Sequence, residues 1–289
     1  MPLLAGQFSP FLRRALSKAA RVARPASLIR ERDSLGFKGP YATWDEAVRD
    51  SDGYDDPQIV ERVCSSTLKV RDGLAATERD GVPFESPQWN FPLLASLARI
   101  ALENGGPVSV LDFGGSLGGT YFQCRDFLGS AAFRCWNIAE QEHFVAVGRE
   151  QFQTDQLRFY RDTASCLATG PVDVVILSSV LLYLKDPHEL LEHTVATGTR
   201  YLLIDRTPLI DSATDLLTVQ CVPACIFGRE LSYPAWFLGR ERLERTIGRR
   251  YKKLVEFAAL DGTYRFDPYL ASFVGQLWGL GAGAPGSKA

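Results

Sequence analysis

Val108-Ser109-Val110-Leu111-Asp112-Phe113-Gly114-Gly115-Ser116-Leu117-Gly118-Gly119-Thr120 is the stretch that decides the fold. A short β-rich apolar run ends in an acid, a glycine-dense turn follows, and residues 121–128 have helix-like content. Strand, glycine turn, helix is how α/β proteins present backbone N–H groups to a nucleotide-like ligand. Glycines suit such a turn because a Cβ would block the ligand and because positive φ is cheap only for Gly. A tight βα turn with no ligand has the same outline, so this stretch alone leaves both readings open.

The turn is not a dinucleotide fingerprint. Counted from Gly114, G-x-G-x-x-G needs glycine where Ser116 stands, and an acid two residues before the first glycine is atypical of NAD sites. Both features argue against a nicotinamide-dependent enzyme.

Downstream the pattern alternates strand and helix, which predicts a mostly parallel sheet. Residues 133–138 read as a second strand ending at Ala139-Glu140-Gln141. Glu140 lies 22 positions past Gly118, a spacing that suits a carboxylate accepting both hydroxyls of a ribose. The competing reading is an acid at a helix N-terminus, favoured by the helix dipole. Residues 157–160 form a third strand. Asp162 after it either accepts from an adenine amino group or caps a helix. Residues 172–177 are almost all β-branched and apolar, so this fourth strand should be buried on both faces. Ser178, Ser179 and Tyr183 then fall at the ligand crevice beyond its C-terminal end. Asp186-Pro187-His188-Glu189 is a capped helix start.

A fifth strand, 201–204, ends at Asp205-Arg206, a pair that either binds a polar substrate or makes a structural ion pair. Residues 210–239, with Tyr233 among them, show neither period and read as an insertion able to fold over the crevice. A helix at 240–247 and strands at 251–257 and 271–278 follow. Upstream, Thr43 and Glu46 form a capping box, and helices are expected at 57–70 and 92–102. The expected organisation is a basic arm (1–35), a helical cap segment (36–104), an α/β core (105–278) with a lid insertion (209–239), and a glycine-rich tail (279–289). In the cap, Tyr54, Trp89 and Asn90 are candidates to line a lid.

Bulk properties are those of a globular protein: 46% hydrophobic, 23% charged, net charge −2. Nothing in that balance points to nucleic acid. The six cysteines are scattered, without C-x-x-C pairs or four-ligand metal spacing, and read as reduced cytosolic thiols. No metal site and no transmembrane run is expected. Residues 1–30 hold six basic residues and no acid. Ser9 and Pro10 suit a helix start, with Phe11, Leu12, Ala15 and Leu16 on one face and Arg14, Lys18 and Arg21 on the other. Residues 9–24 therefore read as a peripheral membrane contact, a solvated end or a transit peptide.

Asp112-x-Gly114-x-Ser116-x-Gly118 is close to the D-x-G-x-G-x-G loop of class I S-adenosylmethionine (SAM) methyltransferases, with Ser116 replacing the middle glycine. The order of 110–119, 138–145, 173–191 and 201–208 resembles that family. More narrowly, several stretches resemble a little-characterised bacterial family of putative methyltransferases, some encoded among surface-polysaccharide genes. These are Ala42-Thr43-Trp44-Asp45-Glu46-Ala47, Leu111-Asp112-Phe113-Gly114-Gly115, Glu140-Gln141-Glu142-His143, Ile204-Asp205-Arg206-Thr207-Pro208 and Ser232-Tyr233-Pro234-Ala235-Trp236. The resemblance covers roughly residues 39–275. It implies a Rossmann-like, seven-stranded sheet, mostly parallel with one antiparallel strand, and SAM as cofactor. It implies that Asp112, Gly114, Gly115 and Gly118 hold the methionine part, that Glu140 with Gln141 holds the ribose, and that Asp162 and Ser178 flank the adenine.

Methyl transfer from a sulfonium is an in-line displacement, driven largely by proximity and alignment. A hydroxyl acceptor also needs a base. The candidates are Asp205, with Arg206 orienting the acceptor, then Tyr183 and Tyr233. The expected activity is methylation of a small polar acceptor such as a sugar or polysaccharide precursor. The alternative is a non-catalytic binding or scaffold protein of the same fold.

Overall fold

The computed structural model describes residues 29–30, 36–53, 57–222 and 230–281. The arm helix expected at 9–24, Tyr54 and the residues after Gly281 lie outside them. The N-terminal part carries β1 (Ile29–Arg30), β2 (Phe37–Tyr41), α1 (Trp44–Arg49), α2 (Pro57–Arg71), β3 (Thr77–Arg79), β4 (Val82–Phe84) and α3 (Phe91–Asn104). The alternating part follows with β5 (Val108–Phe113), α4 (Gly119–Leu128), β6 (Phe133–Ala139), α5 (Glu142–Gln151), β7 (Leu157–Tyr160), α6 (Thr163–Leu167), β8 (Val174–Ser178) and α7 (Pro187–Thr197). The chain closes with β9 (Tyr201–Ile210), β10 (Leu216–Val222), β11 (Leu231–Gly239), α8 (Arg240–Gly248), β12 (Tyr251–Phe266) and β13 (Tyr269–Leu280).

Strands β7, β6, β5, β8 and β9 lie side by side in that order, all parallel. β13 pairs antiparallel with β9, and β12 antiparallel with β13. These seven make the mostly parallel Rossmann-like sheet with one strand reversed. Four more strands extend it to eleven. β1 pairs with β12, β11 joins β9 in parallel at its far end, β10 pairs antiparallel with β11, and β2 with β10.

The centre of the sheet is where the apolar runs placed it. β5 and β8 are buried along nearly their whole length, as strands covered by helices on both faces must be. Leu97 and Ile100 of α3 and Trp136 of β6 have no exposed surface and share one core cluster. Two of the quoted motifs dock on each other. Trp44 stacks on Trp236 at 6.0 Å, and the Ser232 carbonyl accepts from the Asp52 and Gly53 amides. The Thr43–Glu46 capping box forms as expected.

Three expectations need correction. The cap segment is not wholly helical, because it contains β2 and the β3–β4 hairpin. The fifth strand does not end at residue 204, because β9 continues to Ile210. The stretch 209–239 is not without regular structure, because β10 and β11 occupy most of it. Both strands run through a proline, and Pro208 and Pro234 each sit where the strand is paired on one side only. β8 has already stopped opposite Asp205, and β11 meets β9 only at Leu238 and Gly239. A missing N–H is harmless on such an edge.

Candidate active site

A cleft opens where β5, β6 and β8 end, beside the middle of β9 and beneath the β3–β4 hairpin. Its composition is unusual in one respect. Among the described residues, four that are not glycine have left-handed backbone: Asp80, Ser116, Ser179 and Arg206, with φ of 53°, 53°, 54° and 48°. All four line this cleft. Such conformations cost on the order of 1–3 kcal/mol each and gather at functional sites.

One side of the cleft is the glycine turn. Ser116 takes the backbone conformation that a middle glycine would supply, so the departure from D-x-G-x-G-x-G leaves that conformation in place. The neighbouring glycines answer to protein groups rather than to open space. A Cβ on Gly114 would lie 2.5 Å from Val180, and one on Gly115 would lie 2.6 Å from the Asp112 carboxyl. Asp112 is thus packed beneath the turn, where its Oδ2 accepts from the Trp136 indole at 3.1 Å. Burial pushes its carboxyl up to about 7; the indole pulls it down and the charge of Glu140 adds to the rise. Glu140 follows the end of β6, the next strand over. Its Oε2 accepts from the Gln141 amide at 2.6 Å, so it sits at the start of α5 and also faces the cleft. Burial pushes it, too, up to about 7, against the Gln141 and Ser116 amides.

The other side is built on β9. Opposite Gly275 the ladder slips by one residue, so Asp205 and Arg206 face a single partner position. That bulge, with Arg206 left-handed, aims both side chains at the cleft. Asp205 Oδ2 accepts from Asn90 Nδ2 at 2.7 Å and from Ser178 Oγ at 3.2 Å. Its Oδ1 is buried with no hydrogen-bond partner. Burial raises the Asp205 carboxyl above its ordinary range, although Arg206 and Asn90 pull it down. A buried acceptor left empty is costly unless a ligand fills it. Asn90 does two jobs, since its Oδ1 also caps α3 at Leu93.

Arg206 does not pair with Asp205. Its fork closes on Asp80 of the hairpin at 2.6 Å and on Asp261 of β12 at 2.8 Å. Tyr183, in a 3-10 turn after β8, donates to Gln220 of β10 at 2.9 Å and meets the Tyr233 ring edge-on at 5.2 Å. Burial pushes the Tyr233 phenol well up, so it holds its proton and suits a donor better than a base. With Phe37, Tyr264 and Phe273, these rings give this side an aromatic wall.

Of the residues singled out from sequence, Asp112, Gly114, Gly115, Glu140, Ser178, Tyr183, Asp205, Arg206 and Tyr233 all border the cleft. Three stand apart. Gly118 packs towards Leu157 and Ile138. Gln141 is exposed at the start of α5. Asp162 caps α6, its Oδ1 accepting from the Ser165 amide at 2.6 Å, which is the helix-cap reading left open above.

No protein-family model and no curated protein matches the sequence. Solved structures resemble it distantly. The N-terminal domain of EvdMO1, crystallised with SAH and D-fucose, is 17% identical over 79% of this chain and 98% of its own, with a TM-score of 0.44. A S-adenosylmethionine-dependent methyltransferase from Clostridium acetobutylicum is 12% identical over 65% and 90%, at 0.43. The amino pentose methyltransferase CalS10 from Micromonospora echinaspora, with SAM bound, is 12% identical over 68% and 93%, at 0.44.

Glu78, Asp80 and Asp261 also line the cleft, and no local pattern marks them. Glu78-Arg79-Asp80-Gly81 reads as a polar turn and nothing more. Asp261-Gly262 lies inside β12, at an irregularity in its pairing with β13. Asn90 was legible as a lid candidate, and it bonds to Asp205. Trp89, a second of the three, packs against Phe127 instead.

Proposed function

We propose that this chain is a SAM-dependent methyltransferase acting on a small polar acceptor, a sugar hydroxyl being the type that suits it best. The observation that carries this reading is the acid-rich cleft around the glycine turn. Six carboxyl groups line it against two guanidinium groups, and Arg206 is already committed to Asp80 and Asp261. Asp112 and Glu140, raised to about 7 by burial, are poised for a ligand that is cationic at one end and rich in hydroxyls at the other. A sulfonium nucleoside has that combination, whereas a phosphate-bearing ligand would meet repulsion.

Bound there, SAM would supply a methyl group activated by its positive sulfur. The chain's part is to bind, align and remove a proton. Glu140 accepts the ribose hydroxyls, and the amides around Ser116 and Gly119 border the amino-acid end. Asp205, held through Oδ2 by Asn90 and Ser178, turns its free Oδ1 towards the acceptor. It takes the acceptor's hydroxyl proton as the new carbon–oxygen bond forms. Its raised affinity for protons makes it a better base than an exposed aspartate. The rings of Tyr183, Tyr233 and Tyr264 offer a sugar's C–H groups an aromatic lining.

The test is incubation of the full chain with SAM and a panel of neutral sugars and glycosides, read by mass spectrometry. The expected result is a product with one hydroxyl hydrogen replaced by methyl, heavier by one CH2, and lost in Asp205→Asn. SAM bound without turnover on any acceptor would favour the non-catalytic alternative.

A further inference from the structure

Glu78 is held in the cleft by a single hydrogen bond from the protein. It sits on β3, in a hairpin that belongs to a separate two-stranded sheet, and reaches over the first residue of α4. Its Oε2 accepts from the Gly81 amide at 3.2 Å. Its Oε1 lies only 1.9 Å from where a Cβ on Gly119 would be. The last glycine of the Gly118–Gly119 pair is therefore needed to admit the Glu78 carboxylate, since any side chain at 119 would evict it. Among the described residues, no hydrogen-bond donor reaches Oε1 and no cation lies within ion-pair distance of the carboxylate. Asp112 likewise has one donor, the Trp136 indole, but is packed beneath the turn, whereas Glu140 has two backbone amides, Asp80 and Asp261 share Arg206, and Asp205 has Asn90 and Ser178. Burial together with the charge of Asp80 raises Glu78 to about 7, against the Gly81 amide and the charges of Arg206 and Arg79.

A carboxylate set into a slot, partnered on one oxygen and open on the other, is arranged to receive a cation. We propose that Glu78 is a ligand-binding residue, taking through Oε1 the ammonium group of an amino-acid moiety bound against the glycine turn. This rests on the reading of the cleft as a SAM site, in which the amino-acid end lies at that turn. It adds that the cap hairpin, and not the sheet alone, reads that end of the cofactor.

The test compares S-adenosylhomocysteine, the same compound lacking its α-amino group, and 5′-methylthioadenosine by calorimetric titration of the full chain. On the unmutated protein the deaminated compound should bind at least tenfold more weakly than S-adenosylhomocysteine. Glu78→Gln should weaken S-adenosylhomocysteine about tenfold and leave 5′-methylthioadenosine within twofold, because the latter lacks the amino acid. Equal affinity for the first two compounds overturns the proposal, and so does an equal loss for all three in Glu78→Gln. If the unmutated protein binds none of the three, the SAM reading itself fails, an outcome distinct from either.

Discussion

The two sides of the cleft are held in different ways. On the glycine-turn side, Asp112 and Glu140 are fixed by neighbours close in the fold: an indole on the adjacent strand and the backbone amides of the turns themselves. On the β9 side, Asp205 and Arg206 are fixed by side chains from distant elements, namely Asn90 before α3, Ser178 on β8, Asp80 on the hairpin and Asp261 on β12. The first side is built from backbone and should keep its shape through most single changes. The second is a side-chain network, in which removing one member strands the rest.

If the two sides are separable, Asp205→Asn should remove catalysis and spare the cofactor. Loss of a general base lowers turnover by about 10² to 10⁴, read as S-adenosylhomocysteine formation with any accepted hydroxyl compound. Binding of S-adenosylhomocysteine should stay within about twofold of the parent. A matching collapse of both would show the cleft to be one cooperative unit.

Glu140→Ala is the reciprocal change. It removes two charge-assisted hydrogen bonds to a ribose and should weaken S-adenosylhomocysteine by about 100-fold, with little loss of thermal stability. Arg206→Met, by contrast, should act on stability. It leaves Asp261 half-buried without its cation and frees the hairpin, at a cost of about 2–3 kcal/mol by denaturant unfolding. The value lies below that of a fully buried pair because Asp80 is largely exposed. No change in unfolding free energy would remove the network from the β9 side.

Protons sharpen the comparison further. Asp112, Glu140 and Glu78 are all raised to about 7, above the ~4 of an unfolded carboxyl. Between roughly pH 4 and 7 the folded chain therefore keeps protons that the unfolded chain has released, and stability without ligand falls as pH rises through that window. The midpoint of thermal unfolding should drop from pH 5 to pH 8, and Glu140→Gln should flatten the slope. A slope unchanged in that variant would contradict the assignment. The smallest expected effect is at Ser116. Relieving its left-handed backbone with Ser116→Gly should raise stability by about 1 kcal/mol, offset in part by the entropy of glycine.

The same division governs what the sequence could reveal. The glycine-turn side is legible because its parts follow one another along a strand–turn–helix, and because Glu140 falls at a fixed distance downstream. The burial of the central strand 174–178 on both faces follows from its apolar run in the same way, whereas the seven-stranded topology is implied only by the family resemblance. The β9 side was readable only as individual polar residues. A bulge opposite Gly275, the approach of Asn90 from a cap helix, and an Arg206 fork shared by residues 80 and 261 depend on contacts across large sequence separations, which no local pattern encodes. The strands through Pro208 and Pro234 were not legible for the same reason, because whether a strand position lacks a neighbour is a property of the sheet.

The central claim is that the turn and the two carboxylates at the C-terminal ends of β5 and β6 enclose a sulfonium nucleoside, and titration of the full chain with S-adenosylhomocysteine tests it most directly. The account predicts saturable one-site binding that is strongly weakened in Glu140→Ala and absent for NAD. No binding of S-adenosylhomocysteine, or binding indifferent to both Asp112→Ala and Glu140→Ala, would contradict it.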